Sequence, residues 1–246
     1  MVNFGIRLFT ISSSTLDIIL PIYNPKGDWS QDIIRQYTKF IKSLPQDVTS
    51  QLIMVNDGST ENLEAGQALI SQAFPESSWL SYSENKGKGH ALRVGVASST
   101  SDYLIYTDYD FPYTTSSMRD FVELLHVQDM LVIVGHRDVA YYKDLPWFRV
   151  KVSHYLKTIN TSILGLNTDD TQCGLKGFHH SLKDMFLETK TNRFLIDIEF
   201  MRILKKADIE VTVYDVHSRP GVIMSTLGFR TIISELWNYS KILFST

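Results

Sequence analysis

One cysteine, Cys173, stands in 246 residues, so no internal disulfide is available to the chain. Long apolar runs are also missing. No window approaches the roughly 18 uninterrupted apolar residues that span a bilayer, which limits membrane contact to peripheral attachment. Positive charge is not in excess: 24 Lys and Arg stand against 27 Asp and Glu, for a net charge of −3. That balance excludes the strongly basic face of a nucleic-acid-binding domain. The N-terminal stretch MVNFGIRLFTISSSTLDIILPIYN lacks a basic region followed by an apolar run and a small-residue cleavage site. Together with the single thiol, this predicts a reducing, cytosolic setting. No repeat, low-complexity tract or linker rich in Gly, Pro and Ser interrupts the chain, and its length is enough to bury one sizeable core.

What is present is an alternation. Leu16 to Leu20 and Gln51 to Val55 are short, branched, apolar runs followed at once by turn residues, as strands of a parallel sheet are. Between them Ile33, Ile34, Tyr37, Phe40, Ile41 and Leu44 recur at helical spacing until Pro45 stops the run. Further strands are predicted over 79–82, 103–107, 130–134, 175–179 and 210–216. Helices are predicted over 88–99, 116–127, 148–164, 182–187 and 198–207. The fold class is therefore α/β, with a mostly parallel central sheet flanked by helices on both faces. Residues 1–225 read as a single catalytic domain and 226–246 as a C-terminal amphipathic helix suited to a membrane surface or a second copy of the chain.

Ligands of open α/β sheets lie beyond the carboxyl ends of the strands, which nominates the segments after Leu20, Val55 and Thr107. The first, PIYNP, holds Tyr23, an aromatic face with a hydroxyl. The second, NDGST, has turn chemistry at Asn56, Asp57 and Gly58, with Ser59 or Thr60 placed to cap a following helix. Turn formation alone accounts for both stretches, except that it does not require the carboxylate of Asp57. ENKGKGHALRVGVASS sets Gly87 and Gly89 among Lys86 and Lys88 just before a helix, where backbone amides, helix dipole and lysine charge favour an anion. The spacing matches neither the P-loop nor the dinucleotide fingerprint, and a solvated loop explains it equally well. Last, Asp108 and Asp110 follow the buried run Tyr103 to Thr107. Two hard oxygen donors suit Mg²⁺ or Mn²⁺, which keep waters and bridge the oxygens of a diphosphate.

Together PIYN, NDGS and DYD resemble the motifs of the family 2 inverting glycosyltransferases, with their GT-A nucleotide-sugar-binding fold. More narrowly, NKGKGHALRVGV, GHR at 135–137, DTQCGLKGF at 170–178 and FLIDIEF at 194–200 resemble the dolichyl-phosphate glucosyltransferase and dolichol-phosphate mannose synthase branch. The resemblance covers about residues 17–216. It implies that Pro21, Tyr23 and Asp57 contact base and ribose, and that Lys86 and Lys88 lie near the donor. It also implies that Asp110 ligates the metal directly, with Asp108 beside it on metal or ribose. Arg137 and Arg149 would face phosphates and Asp170 the transferred sugar. Gln172, Asp197, Glu199, His217 and Arg219 would orient acceptor or sugar, although acids in a helix's first turn, such as Asp197 and Glu199, are also favoured by its dipole alone. The chain departs from the family pattern at Asn56, Pro25 and Pro112, the last standing where mannose synthases carry a metal-binding glutamine, and RPGVIMS lacks the usual late lysine.

The resemblance implies inverting transfer of a hexose, glucose rather than mannose, from UDP-glucose or GDP-mannose to a polyprenyl or dolichyl phosphate at the cytoplasmic membrane face. An anionic phosphate needs no general base. The alternative is a soluble enzyme acting on a saccharide hydroxyl, for which Asp170 would be the base.

Overall fold

A computed structural model describes residues 13–137, 170 and 173–220. The expected helix at 148–164 and the segment 226–246 lie outside these residues. The described elements run β1 (Ser14–Ile22), α1 (Trp29–Ile41), β2 (Val48–Asp57), α2 (Glu64–Ala73), β3 (Ser78–Tyr82), α3 (Lys88–Ser98), β4 (Tyr103–Tyr106) and α4 (Thr115–His126). They continue with β5 (Val132–Arg137), β6 (Lys176–His179), a 3₁₀ turn, α5 (Lys183–Leu187), α6 (Ile196–Lys206) and β7 (Thr212–Val216).

The strands form one sheet in the order β3-β2-β1-β4-β6-β5-β7. All neighbouring pairs are parallel except the two made by β6, which runs antiparallel to both β4 and β5. Ile18, Ile19 and Leu20 of β1 are fully buried, because helices cover both faces of the sheet. On one face Ile33, Tyr37 and Phe40 of α1 and Met118, Phe121 and Val122 of α4 pack on Leu16, Ile18 and Leu20. On the other, Leu92 and Val96 of α3 and Phe200 and Leu204 of α6 pack around Ile19, Leu104 and Phe178. The three-layer expectation holds.

Helix α2 has no place in the periodicity reading beyond the suggestion that Ser59 or Thr60 caps a helix. Its only fully buried residue is Ile70, too little for an apolar stripe. It docks instead by close approach. A Cβ on Gly66 would stand 2.2 Å from the Trp29 ring. The fifth strand runs to Arg137 rather than ending at Val134, which makes Gly135, His136 and Arg137 part of the sheet.

Candidate active site

The carboxyl ends of β1, β2, β4 and β5 meet one side of the sheet. Since β6 is antiparallel, its start lies at that side too, and the stretch leading into it joins the same crevice. Pro21, near the end of β1, is half-buried, and Tyr23, just beyond the strand, is 47% exposed. Asn24, in the left-handed region at φ 42°, ties this loop to the next one: its N–H donates to Ser59 Oγ at 3.0 Å and its Oδ1 accepts from Thr60 N–H at 2.9 Å. Ser59 and Thr60 therefore stitch two loops and do not cap α2, whose N-cap is Leu63 and makes no side-chain bond.

Asp57 is buried. Its carboxylate accepts from Tyr82 Oη–H at 2.8 Å, Asn85 Nδ2 at 2.8 Å, Lys86 N–H at 2.8 Å and Gly87 N–H at 2.9 Å. Those last two amides belong to the lysine-glycine turn, so they face a carboxylate of the fold rather than a phosphate. The glycines answer to a backbone as well. A Cβ on Gly87, at φ +99°, would stand 2.4 Å from Asn192 O, and one on Gly89 would stand 2.4 Å from Thr191 O. Their small size admits the 191–192 backbone. The Lys86 ammonium lies 5.6 Å from the centre of the Tyr82 ring.

Lys88 Nζ donates to Asp108 Oδ1 at 2.5 Å. Burial draws the Lys88 ammonium down, but the charges of Asp108 and Asp197 outweigh it and raise its pKa. Burial and then the charge of Asp108 push the Asp110 carboxyl up to about 6. Phe111, buried and at φ 47°, closes this turn. Arg219 holds the turn from outside: its Nε and a terminal nitrogen donate to the carbonyls of Phe111 (3.2 Å) and Asp110 (2.8 Å), and that terminal nitrogen also meets Asp32 of α1 at 2.9 Å. Arg219, expected to orient acceptor or sugar, is thus bonded to the acidic loop itself. Among the described residues no group of three or more His, Cys, Asp and Glu is placed to hold an ion. The donor set nevertheless fits a hard divalent cation. Asp108 and Asp110 supply two carboxylates from one turn, the second raised by burial and then by the charge of the first, and the Lys88 ammonium sits against Asp108. Asp108 and Asp110 would be the residues to hold such an ion, which would supply positive charge to a diphosphate.

At the end of β5, Arg137 embraces Asp170. Its main-chain N–H and Nε donate to Asp170 Oδ2 at 2.9 and 2.8 Å, and a terminal nitrogen donates to Oδ1 at 2.5 Å. Burial pushes the Asp170 carboxyl up, but the bonds and charge of Arg137 prevail and hold it below the usual carboxylate range. Arg149 and Gln172 lie outside the described residues. Beneath the site, Tyr113 Oη accepts from Cys173 Sγ–H at 3.2 Å and Gly174 N–H at 2.9 Å. Burial raises the Cys173 thiol, which marks it as structural rather than reactive.

Asp197 is also buried. It pairs with the fully buried Lys176 at 3.0 Å and accepts from Tyr106 Oη–H at 2.6 Å, while Lys176 Nζ also donates to Cys173 O at 2.6 Å. Glu199 accepts from Lys190 N–H at 3.0 Å and Thr191 N–H at 2.8 Å. The His217 N–H donates to Ser117 Oγ at 3.0 Å. Lys176, Tyr106, Tyr113, Asn24 and Asp32 carry site geometry that motif reading does not assign. Lys176 and Asn24 do fall inside stretches that the sequence singles out, DTQCGLKGF and PIYN, but nothing in those stretches names their partners.

The glycosyl transferase family 2 profile matches residues 17–186. A dolichyl-phosphate beta-glucosyltransferase of Trichomonas vaginalis is 21% identical over 215 residues, covering 83% of this chain and 66% of the relative. The Saccharomyces cerevisiae dolichyl-phosphate beta-glucosyltransferase is 24% identical over 219 residues, covering 80% and 64%. The chain thus spans about two thirds of the length of these relatives. Among solved structures, mannosyl-3-phosphoglycerate synthase from Rubrobacter xylanophilus superposes with a TM-score of 0.70 at 14% identity, over 94% of this chain and 72% of that one. Glucosyl-3-phosphoglycerate synthase from Mycobacterium tuberculosis, in complex with Mn²⁺, UDP and phosphoglyceric acid, superposes with a TM-score of 0.66 at 12% identity, over 95% and 80%. At these identities the superpositions speak for the fold, which is GT-A. With the motifs in order around one crevice and the profile covering more than half of its length, the chain belongs to glycosyl transferase family 2.

Proposed function

We propose that the protein is an inverting hexosyltransferase that moves glucose, in preference to mannose, from a nucleotide diphosphate sugar to a polyprenyl or dolichyl-type lipid phosphate. The observation that carries this reading is the placement of Lys88, Asp108 and Asp110 beside the Arg137–Asp170 pair at one end of the sheet. Tyr23 and Lys86 border the crevice where base and ribose would lie. Asp108 and Asp110 would hold a divalent ion, which would supply positive charge against that of the departing diphosphate. Lys88 orients Asp108 and adds positive charge to the same region, where leaving-group charge develops. Asp170, held ionised by Arg137, faces the growing positive charge of an oxocarbenium-like sugar.

The same pairing favours a phosphate acceptor over a hydroxyl. A carboxylate whose proton affinity is lowered by a bidentate arginine is a poor general base, and a phosphate needs none. The dolichyl-phosphate glucosyltransferase relatives support a lipid phosphate and glucose, and the UDP in the M. tuberculosis structure supports a uridine donor. No described helix is long and apolar enough to cross a membrane. We place the enzyme peripherally on the cytoplasmic membrane face, with residues 226–246 as the contact.

Purified protein offered labelled UDP-glucose or GDP-mannose, with Mg²⁺ and dolichyl or undecaprenyl phosphate, should yield a glucolipid. Absence of glycolipid from either donor overturns the reading. Release of residues 226–246 should abolish flotation with anionic liposomes; undiminished flotation removes the membrane role of that segment.

A further inference from the structure

Asp57 carries no open acceptor site. A carboxylate offers about four lone-pair directions, and Tyr82, Asn85, Lys86 and Gly87 present four donors to it between 2.8 and 2.9 Å. The residue is 3% exposed. Its surroundings leave little freedom, since a Cβ on the adjoining Gly58, at φ +64°, would stand 2.3 Å from the carbonyl carbon of Glu84. The loop after β2 and the lysine-glycine turn are in backbone contact.

The turn is held from its other side as well. The His90 N–H donates to Asn192 O at 3.2 Å, and Arg93 donates to Thr191 O at 2.6 Å and to Asn192 Oδ1. Glu199 in turn accepts the amides of Lys190 and Thr191. The turn is therefore gripped between one buried carboxylate and one backbone segment that a second carboxylate fixes. From that fixed base the Lys88 side chain reaches Asp108.

We propose that Asp57 is a positioning residue: it splints the lysine-glycine turn, places the Lys88 ammonium on Asp108, and does not read the nucleotide base. The proposal rests on the donor-site reading above for the ligand half of its test alone. Hydrogen bonds to a charged acceptor contribute more than neutral ones, and removing the carboxylate charge weakens all four at once. In Asp57→Asn the new amide also presents N–H groups to donors.

The first measurement is amide hydrogen exchange in the full chain without ligand. Asp57→Asn should speed exchange across residues 85–89 by about tenfold or more, with β1 and β4 unchanged. Tyr82→Phe, which deletes a single donor, should give a smaller effect in the same segment. If Asp57→Asn does not fold, Tyr82→Phe carries the test. Unaltered exchange in 85–89 overturns the splint.

The second measurement is calorimetric affinity for UMP, UDP, GMP and GDP with Mg²⁺. Asp57→Asn should shrink the gain of UDP over UMP by about as much as Lys88→Met does. The double variant should then lose no more than Lys88→Met alone, the non-additivity expected when one residue acts through another. The preference between uridine and guanosine nucleotides should be unchanged. If instead Asp57→Asn abolishes that preference and leaves the diphosphate gain intact, Asp57 reads the base and the proposal fails. Wild-type protein that binds none of the four nucleotides overturns the donor reading, and the exchange result then decides the splint by itself.

Discussion

At the scale of single residues, Asp110 carries a charge that the fold resists. Its carboxyl titrates near 6 in the folded chain, above the roughly 3.9 of a free aspartate. A raised carboxyl binds its proton more tightly folded than unfolded, so its contribution to stability is present below pH ~4 and is lost as pH rises through about 6. Thermal unfolding of the metal-free protein should therefore show stability falling across that window, and Asp110→Asn should flatten the slope. Equal slopes in the two proteins would refute the assignment. Gly174 makes a second residue-scale prediction. A Cβ there would stand 2.7 Å from Asp108 Oδ2, so Gly174→Ala should displace that carboxylate and lower turnover ten- to a hundredfold while the protein still folds. Unchanged Mg²⁺-dependent nucleotide affinity would argue against it. The identities of the acids at 57, 108, 110, 170, 197 and 199 are legible in the sequence because short motifs mark them. What each one faces is not. Asp57 and Glu199 accept amides of their own chain, Asp197 meets Lys176, and Arg219 meets two carbonyls, because such partners are brought together by packing between segments up to 109 residues apart.

At the scale of elements, β6 and α6 meet through the fully buried Lys176–Asp197 pair. Removing one member leaves the other charged and buried, a loss of about 3–5 kcal/mol, whereas replacing both by apolar groups of similar volume is close to neutral. Lys176→Met should therefore destabilise strongly in urea unfolding, and Lys176→Met with Asp197→Leu should recover part of the loss, the rest reflecting the buried Tyr106 hydroxyl left without its carboxylate. A double variant no more stable than the single one would show that the pair is not the source. The strands with branched apolar runs were readable because burial on both faces demands such runs. Helix α2 was not, since it seats itself by a glycine against a tryptophan rather than by an apolar stripe. The direction of β6 was equally hidden. Gly177 and Phe178 suit a central strand of either sense, and only its pairing with β4 and β5 decides which end faces the crevice.

At the scale of the whole molecule, a ligand that binds only the folded chain raises its stability by mass action. UDP at a hundred times its dissociation constant should add about 2.7 kcal/mol. That gain should require Mg²⁺ and should vanish in Asp110→Asn, as read by thermal shift; an equal gain without metal would separate nucleotide binding from the acid pair. The antiparallel sense of β6 bears on how such a molecule can change over generations. The chain leaves the sheet at Arg137 and re-enters it from Asp170 at the same end, and these two residues are clasped together by three hydrogen bonds. Closing a loop between ends already joined costs only logarithmically more as the loop lengthens. The Arg137–Asp170 clasp therefore fixes both ends of that excursion by itself, so a change of chain length between them should leave the strand order and the acid pair as they are. A lineage carrying this fold can thus vary in length at one end of the sheet while the positions of Asp108 and Asp110 are inherited unchanged.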